Sequence, residues 1–337
     1  MWTTSYLLAG LALLLAWPVP VWLSRSAWTA RSPFASLVLW QAIALAGGLS
    51  MIGSMLIWGL EPLGDNLLAA VGSFWQLLLG RTANTLDPVH VFALSAALLL
   101  GAHLVFTLLL TAVRVGRQRT RHRRLLALLG DPSPARPGTV VVQHDIPVAY
   151  CLPGFNGSVT VLSRGLLETL DEAGLQAVVA HERAHLDQRH DVLVLAFASW
   201  HQALPWLPTS KLAQSAVQEL IEMLADDAAL KEVPREVLLR SLVSVAAASG
   251  GLDPASDAEP DRAREAGAPT GGGSGGSVEA ARAASGVPAP GLSSRRLKRL
   301  LHAADPLPRA SLAGLLAASA LLIGVPTALL VAPGLLG

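Results

Sequence analysis

The sequence predicts a mainly α-helical membrane protein, with four transmembrane helices and one cytoplasmic α+β domain. Three observations carry that prediction. Hydrophobic residues make up 52% of the 337 positions and charged residues only 15%, well short of the roughly 25% charged residues of a soluble domain. Four stretches are apolar over the ~20 residues that a helix needs to cross a bilayer. Between the third and fourth lies a long polar stretch with both strand-like and helical periodicity.

The first apolar stretch, 5–23, runs from Ser5 to Leu23 without a charge, and no Lys or Arg precedes it, which argues against a signal peptide. The second, 34–60, is also uncharged. The third, 88–113, has His90 and His103 as its ionisable groups. The fourth, 310–332, is rich in Ala and Leu, with Pro326 as a kink position. Trp2, Trp17, Trp22 and Trp58 near the ends of these stretches fit an aromatic belt. Lys and Arg orient them. Loop 24–33 holds Arg25 and Arg31 and no acid, whereas loop 61–87 holds Glu61, Asp65 and Asp87 against Arg81. Six arginines between 114 and 124 follow the third stretch, and Arg295, Arg296, Lys298, Arg299 and Arg309 precede the fourth. The positive-inside rule then puts the N-terminus outside and residues 114–309 inside. The high Ala, Gly, Leu and Arg content suits a GC-rich bacterium, so the expected place is a bacterial plasma membrane.

Three regions result: 1–113 with three spans and the outer loop 61–87, 114–309 as the cytoplasmic domain, and 310–337 as the fourth span and a short outer tail. Leu67–Leu79 is apolar but too short to cross, and reads as an amphipathic segment lying on the outer face. The basic run 114–124 lacks interleaved aromatics and abuts a span. It reads as an anchor at the anionic leaflet, with the bilayer as partner and no direct nucleic-acid binding.

Within the cytoplasmic domain, Thr139–Val142, Val148–Leu152 and Val159–Leu162 read as strands, with Pro153-Gly154 and Asn156-Gly157 as turn signals. Asp171 and Glu172 suit a helix start, and Leu175, Val178, Val179 and Glu182 share one helical face. That helix carries His181-Glu182-Arg183-Ala184-His185. Positions i and i+4 stack on one face, so two imidazoles there can hold one Zn²⁺. Glu182 between them can take a proton from a water activated at the site.

A catalytic zinc site needs a third protein ligand. The extended HExxHxxGxxH pattern fails, because Gln188 and Asp191 occupy its Gly and His positions. Glu222-Met223-Leu224-Ala225-Asp226 supplies the alternative: Glu222 as third ligand, and Asp226 one turn on to fix a histidine tautomer. The single cysteine, Cys151, excludes both an intramolecular disulfide framework and a cysteine zinc cage. Residues 192–207 are apolar but contain His201, Gln202 and Pro205, and read as a buried helix linking the two zinc-binding helices and dipping toward the membrane interface. His190 and His201 read as structural. Residues 249–291, rich in Gly, Ala, Ser and Pro, read as a flexible insertion.

These residues carry a family resemblance. Leu175–His185 followed by Arg189-His190-Asp191, the segment Glu222–Asp227, and the order of three spans, domain and one span resemble the BlaR/MecR family of integral-membrane zinc metallopeptidases. The resemblance implies a gluzincin-type zinc metallopeptidase domain with a protein substrate, of which a winged-helix repressor of the BlaI/MecI type is the example. It also implies regulatory proteolysis. Members with a penicillin-binding sensor detect β-lactams, cleave themselves and relieve that repressor. Here only Pro333–Gly337 follow the fourth stretch, so β-lactam perception is not expected, and a signal would enter through loop 61–87, the membrane or a partner.

In zinc peptidases of this kind an edge strand commonly pairs with the extended substrate. Val148, Ala149 and Tyr150, within 146–152, are the candidates here, with an ordinary sheet strand as the alternative. Ser293–Leu297 reads as a membrane anchor, with self-cleavage as the alternative. A quality-control or prenyl-protein-type protease is a rival function. A non-catalytic signalling scaffold is another, although a structural zinc has no need of Glu182. A homodimer is compatible with the sequence. The side chain that stabilises an oxyanion is not identifiable from sequence.

Overall fold

The computed structural model describes residues 2–65, 67–81, 86–133, 136–152, 158–249, 292–302 and 305–331. The expected turn at 153–157, the glycine-rich stretch 250–291 and the tail 332–337 lie outside the described residues. In chain order the helices are α1 (Trp2–Ala16), α2 (Pro18–Arg25), α3 (Pro33–Leu60), α4 (Leu67–Leu78) and α5 (Pro88–Leu129). Strands β1 (Asp131–Pro132), β2 (Thr139–Val142), β3 (Ala149–Leu152) and β4 (Val159–Ser163) follow. Then come α6 (Arg164–Thr169), α7 (Glu172–Asp187), α8 (His190–Ala203), α9 (Pro208–Ala229), α10 (Arg235–Ala248), α11 (Ser294–Leu301) and α12 (Arg309–Val331). The chain forms two compact units. One comprises Met1–Leu110, Ala196–Leu220 and Asp305–Gly337, the other Thr111–Leu195 and Ile221–Ala304.

Four apolar segments are long enough to cross a membrane, Trp2–Arg25, Pro33–Leu63, Pro88–Leu128 and Arg309–Val331, and the first unit holds all of them but the part of the third that follows Leu110. The first is two helices instead of one. Pro18 has no N–H to donate and restricts Trp17, which sits at φ −136°, ψ −72°. Helix α3 is central, packed on both α1 and α12, and Ser5 donates to the Ser54 carbonyl at 3.0 Å. At Gly59 a Cβ would lie 2.6 Å from Leu94 Cγ and 3.0 Å from the Leu94 nitrogen, so glycine is what lets α3 and α5 approach there.

Helix α4 is the short amphipathic segment expected at Leu67–Leu79, with its large apolar residues on one half of the helix and Gly72, Ser73 and Gln76 on the other. Leu67, Ala70, Phe74 and Leu77 of α4 pack against Leu60, Leu63 and Leu94. Leu68, Val71, Trp75 and Leu78 face outward together with Gly72 and Gln76, so the apolar half of α4 is wider than the part that packs. The link between α8 and α9 also belongs to this unit. The Thr209 hydroxyl donates to the Ala16 carbonyl, and His103 Nε2 lies 3.1 Å from the Ala203 carbonyl.

In the second unit α5 continues as one helix through the arginine run to Leu129. Its Leu126 packs under the sheet against Val148, Tyr150, Leu152 and Val161. The sheet order is β1-β2-β4-β3, with β2 and β4 parallel and β3 antiparallel to β4. Strand β3 therefore forms one edge. Ser163 closes β4 and starts α6, its hydroxyl accepting from the nitrogens of Leu166 (3.1 Å) and Val148 (2.8 Å). Gly165 lies so close to the Asp145 carbonyl that no side chain fits there. On the sheet's other face, Leu175 and Val178 of α7 join Ala149, Leu162, Leu166 and Val245 in one apolar cluster.

Candidate metal centre

The site is built on α7. Asp171 caps the helix, its carboxylate accepting from the Gly174 nitrogen at 2.8 Å, and Glu172 adds negative charge to the first turn. One face buries Leu175 and Val178 against the sheet. Ala177 and Ala180 face a second cluster with Ala229, Leu238, Leu242 and Leu300, their small side chains admitting the neighbouring helices closely. His181, Glu182 and His185 complete the buried surface, at 2%, 4% and 5% exposure. The helix ends at Asp187, and Arg189 takes a left-handed conformation, φ +51°. That conformation costs a non-glycine residue about 1–2 kcal/mol. It reverses the chain so that His190, the first residue of α8, returns toward His185.

Helix α9 brings Glu222 and Asp226 to the same place, one turn apart on one face. His181 Nε2 and His185 Nε2 are 3.2 Å apart. Glu222 Oε2 is 3.5 Å from His181 Nε2, and Oε1 is 3.5 Å from His185 Nε2. A tetrahedral ion with bonds of about 2.0–2.1 Å needs ligand–ligand edges of roughly 3.4 Å; the histidine pair is at that spacing, and one ligand atom from each of the three side chains lies within 4.8 Å of the others. Among the described residues these three form the group able to hold a metal ion. Glu222 Oε1 is a buried acceptor without a hydrogen bond among the described residues, a group that a cation would satisfy.

Neighbouring residues set the histidine tautomers. Asp226 Oδ1 lies 3.1 Å from His181 Nδ1. A carboxylate only accepts, so Nδ1 keeps its proton, and Nε2 is the nitrogen that would give up its own to present a lone pair to a metal. His190 Nε2 is 3.1 Å from Gln188 Oε1 and donates to it, which leaves His190 Nδ1 as an acceptor 3.1 Å from His185 Nδ1. His185 thus donates from Nδ1 and turns its own Nε2 lone pair inward. Arg296 of α11, 1% exposed, adds a cation. Its Nε and Nη2 donate to Asp226 at 2.6 and 2.7 Å, and its Nη1 donates to Glu222 at 2.8 Å.

Electrostatics separate the histidines. Burial alone would depress His181, but Asp226 and Glu222 outweigh it and hold the imidazole at about 9. Burial, reinforced by the charge on His181, takes His185 down to about 3. Burial takes His190 to about 4. Desolvation opposes ionisation of Glu222, but the contacts with His181 and Arg296 prevail and keep it at about 2. The same balance, led by Arg296, keeps Asp226 well below the usual carboxylate range. Beside Glu182, the metal-free centre therefore sets the carboxylates of Glu222 and Asp226 against the Arg296 guanidinium and the His181 imidazolium, all buried.

The structure thus gathers His181, Glu182, His185, Glu222 and Asp226 in one place. Val148, Ala149 and Tyr150 lie at the sheet edge, all buried, with the Tyr150 hydroxyl 2.6 Å from His122 Nε2. Ala149 touches the cluster under α7 one turn before His181. Two residues escape sequence reasoning. His190 reads as structural by spacing, because no glycine announces the left-handed turn before it. Arg296 reads as part of a membrane anchor, yet it is buried among acids; its proximity to a span and a basic neighbourhood mask that role.

No curated protein and no solved structure matches the chain. The family model described as Peptidase family M48 matches residues 115–284, half of the chain and the part that contains α7 and α9. Mostly helical, with a small sheet, four apolar helices and a buried His/His/Glu group, the chain belongs to peptidase family M48, a family of metallopeptidases generally dependent on zinc.

Proposed function

We propose that the protein is an integral-membrane zinc endopeptidase of the gluzincin type with a regulatory role. The observation that carries this reading is the convergence of His181, His185 and Glu222 at ligand spacing beside the buried Glu182. The three would hold Zn²⁺, which when bound lowers the pKa of water and polarises a scissile carbonyl. Glu182 takes the proton from the attacking water and delivers it to the leaving amine. Asp226 orients His181, and His190 orients His185. Strand β3, with no strand paired on its outer side among the described residues, would take an extended substrate by strand addition along Val148, Ala149 and Tyr150.

The four apolar helices and the lysine and arginine distribution support a multi-pass protein with its N-terminus outside and residues 114–309 in the bacterial cytoplasm. Three spans before the domain and one after support a BlaR/MecR-like arrangement. A cytoplasmic protein such as a BlaI/MecI-type repressor is then the substrate, cleaved in response to a membrane or extracellular signal.

The test measures zinc content and repressor cleavage in detergent for the wild type and Glu182→Gln. Zinc in both with cleavage only by the wild type is the expected result. Equal cleavage by both would sink the mechanism. An absence of zinc would sink the site.

A further inference from the structure

Arg296 is separated by 115 positions from His181 and lies beyond the residues matched by the family. Its guanidinium nevertheless enters the ligand cluster, with Nη2 3.5 Å from His181 Nε2. The fork of Nε and Nη2 takes both oxygens of Asp226, and Nη1 takes Glu222 Oε2. Glu222 is left asymmetric. Each oxygen lies 3.5 Å from one histidine, Oε2 from His181 Nε2 and Oε1 from His185 Nε2, but Oε2 alone is engaged by the guanidinium, while Oε1 is buried and without a hydrogen bond among the described residues.

This asymmetry has a chemical consequence. A free carboxylate can chelate an ion through both oxygens, whereas a catalytic zinc site needs three protein ligands and one open position. Resting on the zinc-peptidase reading above, we propose that Arg296 is a positioning residue that sets the denticity of Glu222. It occupies Oε2 and reserves Oε1 for the ion, so that one coordination position stays open. The role needs a planar fork that spans two carboxylates one helical turn apart, which the point charge of lysine does not provide.

Helix α11 delivers the fork by means independent of it. The Ser293 hydroxyl caps the helix by accepting from the Arg296 nitrogen at 3.2 Å, and Leu300 is buried against Ala177, Ala180 and Leu242. One turn on from Arg296, Arg299 bonds Asp227 at 2.7 Å and the Met223 carbonyl at 3.3 Å. Replacing Arg296 therefore leaves α11 with its own attachments to α9.

A plain counter-ion makes the opposite prediction. If Arg296 only neutralised the carboxylates, removing its charge would tighten cation binding, because a repulsive neighbour would be gone. A positioning role predicts weaker binding and a changed coordination number.

The experiment uses the full chain in detergent: wild type, Arg296→Lys, Arg296→Met and, as a control for helix docking, Arg299→Ala. Two readouts are the visible absorption of the Co²⁺-loaded protein, whose intensity reports coordination geometry, and zinc affinity by competition with a chromogenic chelator. Both Arg296 variants should lose at least half of the Co²⁺ band and bind zinc about 10–100-fold more weakly. Arg299→Ala should keep the wild-type band. An unchanged band in Arg296→Lys, or tighter zinc binding in Arg296→Met, overturns the positioning role. A wild type that takes up neither ion overturns the zinc reading itself, and the two failures are thereby distinguished.

Discussion

At the scale of single residues, the centre depends on which nitrogen carries which proton. His190 fixes His185 through a 3.1 Å contact and is fixed in turn by Gln188, a histidine standing where a carboxylate or carbonyl usually does. Replacing His190 with Ala should therefore weaken zinc binding by about 10–100-fold while leaving all three ligands in place. Chelator competition reads this directly.

The same imidazoles shape the stability of the metal-free protein. Each titrates near 6.5 when unfolded. In the fold, His185 and His190 refuse protons down to about 3 and 4, whereas His181 keeps its proton up to about 9. From pH 6.5 down toward 4.5 the unfolded chain takes up two protons that the folded chain does not, so acid destabilises. From 6.5 up to about 9 the folded chain holds one more proton than the unfolded chain, so alkali destabilises too. Each such proton is worth about 1.4 kcal/mol per pH unit. The chelator-treated protein should be most resistant to unfolding near pH 6.5. An unfolding midpoint that climbs steadily from pH 5 to 9 would contradict this. The histidine pair was legible in sequence because i, i+4 spacing is a local signal. The protonation pattern was not, because it comes from Asp226, Glu222 and Arg296, all distant along the chain.

At the scale of elements, turns and breaks decide what the periodicity alone cannot. The α7–α8 turn passes through Arg189 at φ +51°. Arg189→Gly should leave stability unchanged or raise it by up to about 1 kcal/mol, whereas the β-branched Arg189→Val should lower it by at least that much. Chemical denaturation separates the two. Strands β2 to β4 lie within a residue of where β-branched runs placed them, since alternation and turn signals are again local. Helix α4 shows the limit. Its apolar residues fill one broad half, opposite Gly72, Ser73 and Gln76, and nothing in so short a segment tells which part of that half will meet α3 and α5. The proline break between α1 and α2 was written in Pro18, but a hydropathy average smooths it away.

At the scale of the whole molecule, the proposed topology and the composition of the centre can both be tested. Cys151 is buried at 6% exposure, and burial pushes its thiol up to about 11, so the native cysteine should stay silent toward maleimides at neutral pH. Single cysteines at the exposed positions Asp65 and Arg117 should then report sidedness. An impermeant maleimide applied to intact cells should label Asp65→Cys and spare Arg117→Cys, and the reverse pattern would invert the topology. The sequence showed four apolar helices and a histidine pair. It did not show that a helix beyond the glycine-rich stretch completes the acidic cluster, because no periodicity links positions so far apart. That helix makes the peptidase a poor candidate for excision as a portable cassette. A fragment trimmed at residue 284, where the family match ends, would retain His181, His185 and Glu222 and forfeit Arg296. Stranding a buried ion-pair partner in this way costs about 3–5 kcal/mol, so such a fragment would carry every ligand and still lack a sound interior to hold them.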